Sequence, residues 1–169
     1  HQANFRYPRQ RSLVAADSAT HVRWLAECLA PHFRATGDAT SDWRVTFASS
    51  ARRYSDMTAH GAHSSGERIP FFTLDSTVVE LPRWNDGGTA GVSGFDEEFQ
   101  VFYTVRREAR EVSVLAPSPG LWTRVALMRV VRELAMEESA AAGDVCIHAA
   151  AFEFDGRVFL IAGPKGAGK

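Results

Sequence analysis

A glycine-rich segment at the end of the sequence has the residue types and spacing that bind phosphate. Residues 163 to 169 read GPKGAGK and match the pattern GxxxxGK, known as the Walker A motif or P-loop. Glycines allow backbone N–H groups to turn inward around phosphate oxygens, and a closing lysine adds a compact positive charge. The segment therefore predicts a site for nucleotide phosphates, formed by Gly163, Pro164, Lys165, Gly166, Ala167, Gly168 and Lys169.

The use of lysine in this chain supports the same interpretation. Of the 19 basic residues, only Lys165 and Lys169 are lysines, and both lie in the glycine-rich segment. Arginine makes planar bidentate contacts, whereas the closing position of a P-loop requires a point charge on a flexible stem. A lysine at position 169 is therefore the residue that phosphate chemistry would select. A glycine-rich turn or tail without a ligand is the alternative interpretation.

The residues before the loop are predicted to form a β-hairpin. Asp155-Gly156 is a strong type I′ turn signal, so residues 147 to 154 and 157 to 162 should pair. The second arm contains VFLIA, which predicts a nearly continuous buried strand that leads directly into Gly163. His148 lies on the first arm. Its type and position fit either a hydrogen-bonded core residue or a group beside the phosphates.

Together, the IHAAA segment, the DG turn, the VFLIAG strand and the GPKGAGK loop resemble the HPr kinase/phosphorylase family and its related serine kinases. That family has a fold akin to phosphoenolpyruvate carboxykinase. The resemblance covers residues 120 to 169. It implies that Gly163–Lys169 binds the phosphates of ATP with Mg²⁺, and that His148 lies near the transferred phosphate. His148 and Lys169 are thus the candidate catalytic residues.

The chain also departs from the family pattern. Ala149 follows the histidine where HPr kinase typically has glycine, which points to the related kinases rather than to HPr as substrate. Family members place a Mg²⁺-binding Ser or Thr directly after the loop and a catalytic aspartate farther on. Both positions would come after Lys169, so we expect a longer natural protein. We also expect residues 1 to 169 alone not to turn over ATP.

The resemblance implies an ATP-dependent kinase that transfers the γ-phosphate to a hydroxyl group. The acceptor would be a serine of a protein or peptide, or a small-molecule alcohol. Two alternatives remain open: a P-loop ATPase or switch that hydrolyses ATP, and an interaction module without catalysis. The partners implied are a nucleotide and the acceptor, and homo-oligomerisation is left open.

The fold class predicted is α/β: the start of a P-loop kinase domain preceded by an α+β region. Residues 1 to 95 would form the α+β region, for substrate recognition or assembly, and residues 96 to 169 would begin the kinase domain. The boundary is placed at NDGGTAGVSG, residues 85 to 94, because glycine-rich polar segments form loops.

The remaining elements follow from hydrophobic periodicity. Residues 1 to 16 are interpreted as a lead-in without regular structure, and Pro82 should end an apolar run that begins at Ile69 after the polar SSGE segment. Four further elements are predicted: a helix capped by Asp17 or Ser18, a strand through Trp43, Val45 and Phe47, a hairpin joining residues 99 to 105 to Val112 and Val114, and a helix over residues 120 to 142 with Leu121, Val125, Met128, Val131 and Leu134 on one face.

Composition limits the classes of protein considered. The chain of 169 residues is 45% apolar, with a net charge of −1 and interleaved signs, which indicates a globular protein without a nucleic-acid or membrane surface. Cys28 and Cys146 are expected to be buried thiols of a cytoplasmic protein.

Three other groups of residues are given structural interpretations. His60 and His63 favour a solvated loop over a metal site, because no Cys or carboxylate stands at ligand spacing. Arg106, Arg107 and Arg110 favour a neutralised surface turn. The four tryptophans, Trp24, Trp43, Trp84 and Trp122, are interpreted as core anchors.

Overall fold

The structure, a computed structural model, describes residues 1–7, 10–30, 32–36, 40–59, 64–74, 77–84, 91–145, 147 and 149–163. The helices in this part of the chain are α1 (Ala19–Leu29), α2 (Ala51–Ala59) and α3 (Leu121–Ala141). The strands are β1 (Gln2–Tyr7), β2 (Gln10–Ala16), β3 (Arg34–Thr36), β4 (Trp43–Ser49), β5 (Ser64–Leu74), β6 (Thr77–Trp84), β7 (Val92–Asp96), β8 (Val101–Arg106), β9 (Glu111–Ala116), β10 (Ala149–Phe154) and β11 (Arg157–Ala162).

Nine of these strands form one mixed sheet, in the order β3-β1-β2-β4-β9-β8-β7-β6-β5. At its centre β4 runs parallel to both β2 and β9, and the other neighbours are antiparallel. The helices α1 and α3 pack against each other and both contact β2, so they cover one face. The helix α2 contacts β9 and lies on the opposite face. The α/β class is thus confirmed in its coarse form.

The alternating pattern of β4 shows how sequence places the core. Trp43, Val45 and Phe47 are buried, as predicted, because every second side chain of a strand points to the same face. That face packs on α1 and α3, and it contributes to a core of apolar side chains from both helices and the central strands. The predicted hairpin of β8 and β9 is also confirmed, with Val105 opposite Val112.

Both predicted helices are confirmed, with ends set by local chemistry. The Ser18 hydroxyl accepts a hydrogen bond from the Thr20 N–H at 3.2 Å and caps α1. Helix α3 is followed by Gly143 at φ +82°, a conformation that glycine adopts without a Cβ penalty. The predicted apolar face of α3 is partly wrong: Val131 and Leu134 are buried, but Leu121 is 56% exposed. The buried stripe includes the small polar residues Thr123 and Ser139, so a pattern of large apolar side chains does not identify all of it.

The interpretation of residues 1 to 16 as an irregular lead-in was wrong. They form β1 and β2, which pair antiparallel with Phe5 opposite Ser12. The inward-facing positions of β2 are Gln10, Ser12, Val14 and Ala16. Two of these are polar, and the Gln10 amide donates a hydrogen bond to the Ser12 hydroxyl inside the protein. Their polarity hides the strand from a search for alternating apolar residues.

The region from residue 64 to residue 96 also differs from the prediction. The polar SSGE segment belongs to β5, and Pro82 lies within β6 rather than ending it. Only Arg83 and Trp84 of β6 pair with β7, so Pro82 lies outside that ladder. A strand tolerates proline at a position where no backbone N–H has to donate a ladder hydrogen bond. The boundary placed between residues 95 and 96 falls inside β7, so the large sheet contains strands from both sides of it. Residues 85–90 lie outside the described part.

Two burial predictions were wrong. Cys28 is exposed, because α1 buries a narrow stripe that consists of His21, Leu25 and Leu29. Trp122 is also exposed and stacks on Phe99 with ring centroids 5.5 Å apart, whereas Trp43 is buried as expected. Cys146 lies outside the described residues.

None of the helices in the described ranges combines the length and the apolar character that a bilayer crossing requires.

Candidate phosphate-binding site

The predicted hairpin before the glycine-rich loop is present. Strands β10 and β11 pair antiparallel from Ala149 opposite Ala162 to Phe154 opposite Arg157. The connecting residues Asp155 and Gly156 have φ values of 51° and 69°. Positive φ at both central residues is the requirement of a type I′ turn, which is why the Asp-Gly pair is favoured there. The hairpin therefore follows from the turn sequence.

The hairpin leads the chain to the start of the phosphate-binding motif. Strand β11 ends at Ala162, and Gly163 follows directly as a partly buried residue. The other predicted loop residues, Pro164, Lys165, Gly166, Ala167, Gly168 and Lys169, lie outside the described part of the chain, as does His148. The phosphate-binding assignment of these residues stays a prediction.

The environment of β11 differs from the one predicted. We expected a buried strand, but every residue of β11 is exposed in this chain. Strands β10 and β11 form a separate two-stranded sheet, so neither of the hairpin's faces is covered by the large sheet. The apolar run VFLIA determines that a strand forms, whereas burial requires neighbours that the described residues do not supply.

The basic turn between β8 and β9 is neutralised by acidic residues, as predicted. Arg106 lies 3.6 Å from Glu111 and Arg110 lies 3.8 Å from Glu138, while Arg107 pairs with Glu137. Two of the three partners come from α3, which sequence proximity alone did not indicate. Because these pairs are exposed to solvent, each contributes little to stability.

Metal ligands do not cluster in the part of the chain that the structure describes: no group of three His, Cys, Asp or Glu side chains is close enough to hold an ion. The predicted solvated loop with His60 and His63 lies outside that part.

A buried carboxyl group that sequence reasoning missed is Asp96, at the end of β7. Its Oδ1 accepts hydrogen bonds from the backbone N–H groups of Glu98 at 3.0 Å and Phe99 at 3.1 Å. Burial raises the pKa of the Asp96 carboxyl, and these two N–H donors lower it in part. Burial likewise raises the pKa of the Tyr103 phenol, and the nearby Asp96 charge raises it further. The Asp96 carboxyl therefore stabilises the turn that leads into β8. Its burial depends on the packing of the sheet and could not be predicted from the residues around it.

A second buried polar group is His21, on α1. Its Nδ1 lies 4.0 Å from Asp17 Oδ1, and its ring packs against Phe47 with centroids 4.8 Å apart. Asp17 also accepts a hydrogen bond from the Ser49 backbone N–H at 2.6 Å, which joins the ends of β2 and β4. Burial lowers the pKa of His21, with Asp17 opposing and Arg124 adding to this effect. We therefore expect a neutral imidazole at pH 7.

Comparison with known proteins gave no match, whether to a protein family, to a curated protein or to a solved structure.

Proposed function

We propose that this chain belongs to an ATP-dependent kinase, related to the HPr kinase/phosphorylase group, that transfers the γ-phosphate to a hydroxyl group. The observation that carries the proposal is the course of the chain at the end of β11. There a strand runs up to Ala162 and is followed at once by GPKGAGK. A strand that leads into GxxxxGK is the structural context in which this motif binds phosphate.

The donor set of the motif fits the phosphates of ATP. The backbone N–H groups of Lys165 to Lys169 would contact phosphate oxygens, since Pro164 has no N–H, and the Lys169 ammonium would hold the β and γ phosphates. ATP with Mg²⁺ supplies the phosphoryl group when bound. His148 immediately precedes β10, whose first residue is opposite the last residue of β11, and this register supports a role for His148 near the transferred phosphate.

Removal of the Lys169 charge tests the nucleotide site. In the complete natural protein, Lys169→Met should weaken ATP binding by at least about tenfold, because a charge-assisted hydrogen bond to phosphate is lost. The measurement is calorimetric titration with ATP and Mg²⁺. Lys165→Met is the matched control: it removes the only other lysine of the chain, from the same loop, and should change the affinity much less. Equal effects of the two variants, or unchanged binding in Lys169→Met, would contradict the proposal.

A second measurement separates transfer from hydrolysis. With ATP labelled at the γ-phosphate, a kinase should place the label on a hydroxyl-bearing protein, peptide or small alcohol, and His148→Ala should lower that transfer while ATP binding persists. Release of the label only as inorganic phosphate would instead favour the ATPase or switch. A protein that binds no ATP at all would favour the interaction module.

A further inference from the structure

A groove separates α2 from the sheet on the face opposite α1 and α3. Its volume is about 360 Å³. The helix contributes Arg53, Asp56 and Met57, and the floor consists of Phe102, Thr104, Arg106, Ser113 and Leu115 from β8 and β9. Concave sites of a few hundred Å³ that combine an apolar surface with a few polar groups are typical of small-ligand binding.

The helix contacts the sheet through Tyr54 and leaves the groove beside this contact open. Tyr54 packs on Phe102 with ring centroids 5.5 Å apart, and its hydroxyl donates to Gln100 Oε1 at 2.9 Å. No residue of α2 is buried. A ligand in the groove would therefore add contacts between the helix and the sheet without displacing a packed core.

Hydroxyl groups form a row across four strands, and two of them, those of Thr104 and Ser113, line the groove. The register aligns Thr46 with Ser113, Ser113 with Thr104 and Thr104 with Ser93 on four neighbouring strands. The Thr46 hydroxyl donates to Ser113 Oγ at 3.0 Å, and the hydroxyls of Ser93 and Thr104 are 2.8 Å apart. Because Ser113 accepts from Thr46, its own proton can be donated to a ligand in the groove.

The side chains that line the groove carry one more positive than negative charge. Two guanidinium groups, Arg53 and Arg106, face one carboxylate, Asp56, among the lining residues. Arg106 also forms an ion pair with Glu111 at 3.6 Å, and because this pair is partly exposed to solvent, a ligand carboxylate could take the place of Glu111. Arginine forms strong bidentate hydrogen bonds with carboxylates. The apolar part, made by Met57 and the small accessible part of Leu115, suits a hydrocarbon group on the same ligand.

From this arrangement we propose that the groove binds a small organic acid. Its carboxylate would lie between Arg106 and Arg53 and accept a hydrogen bond from the Ser113 hydroxyl. Its hydrocarbon part would lie against Met57 and the small accessible part of Leu115. None of the lining residues belongs to the phosphate-binding motif, and the proposal does not depend on the proposed kinase activity.

Titration with benzoate, followed by NMR of the backbone amides, tests the site. Saturable shifts are expected at the amides of α2, β8 and β9. Benzamide has the same ring without the charge and should bind at least about tenfold more weakly, because the charge-assisted hydrogen bonds are lost. No saturable shifts with benzoate, or equal binding of the two compounds, would overturn the proposal.

Substitutions then test where the carboxylate of the bound benzoate lies. Arg106→Gln should weaken benzoate binding by at least about tenfold. Arg53→Gln should also weaken it, and because Arg53 lies on the exposed helix α2, this substitution leaves the sheet unchanged. Arg110→Gln is the matched control, since it removes the same charge from the β8–β9 turn, outside the lining of the groove. Equal affinity in Arg106→Gln, Arg53→Gln and Arg110→Gln would overturn the assignment.

Discussion

Strands β8 and β11 have similar apolar sequences, VFYTVR and RVFLIA, yet lie in opposite environments. Phe102 of β8 is 1% exposed, whereas Phe159 of β11 is 42% exposed and Val158 is 69% exposed. Strand β8 has hydrogen-bonded neighbours on both edges, and Phe102 packs against the rings of Tyr54, Trp84 and Phe95. Strand β11 pairs only with β10. The comparison shows that apolar content predicts a strand, while the number of neighbouring elements decides its burial.

The largest expected effect is the stability difference between two matched phenylalanine substitutions. Phe102→Ala should lower the free energy of unfolding by about 3–5 kcal/mol, because it leaves a cavity among packed rings. Phe159→Ala should change it by no more than about 0.5 kcal/mol, as is usual for exposed positions. Urea denaturation followed by circular dichroism measures both. A similar loss in the two variants would mean that β11 is packed as tightly as β8.

A smaller effect is expected from two glycine substitutions, one in each region. A Cβ on Gly94 would lie 2.9 Å from Phe71 Cε2 and 3.2 Å from Leu81 Cβ, so Gly94→Ala should cost about 1–3 kcal/mol through overpacking. A Cβ on Gly156 meets no atom within 4 Å, but its φ of +69° disfavours alanine. Gly156→Ala should therefore disturb the NMR signals of the hairpin and leave the unfolding of the large sheet unchanged. A change in the unfolding transition of the large sheet caused by Gly156→Ala would contradict this expectation and show that the two regions are energetically coupled.

The smallest expected effect is the pH dependence of the large sheet. Because the pKa of His21 is lowered in the folded protein, the unfolded chain binds the proton more readily. Stability is thus full above the unfolded pKa of about 6.5 and falls as the pH drops toward the folded pKa, by at most about 1.4 kcal/mol per pH unit.

Urea denaturation at a series of pH values measures this dependence. His21→Phe, which cannot titrate, should flatten it over about one pH unit below the ordinary imidazole pKa of about 6.5. An unchanged slope would show that another group carries the effect. The hairpin signals should not respond to the substitution.

Several elements could be predicted because their signals are local. The Asp155-Gly156 turn, the Ser18 cap and the alternation in β4 each depend on residues close in sequence. Strands β1 and β2 could not, because Gln10 and Ser12 are polar and are buried only by the distant elements that pack around β2. Pro82 was misread as an end because its effect depends on the extent of the ladder to β7.

For the candidate site, the sequence alone determined the GPKGAGK motif and the hairpin before it, because a turn type and a glycine pattern need no distant partner. Only the tertiary structure decided which apolar strands are buried. It also brought α2 over the hydroxyl row and buried Asp96 and His21. The physical reason is that both the burial of side chains and their assembly into one site depend on contacts between distant segments of the chain. The pattern of any one segment does not contain those contacts.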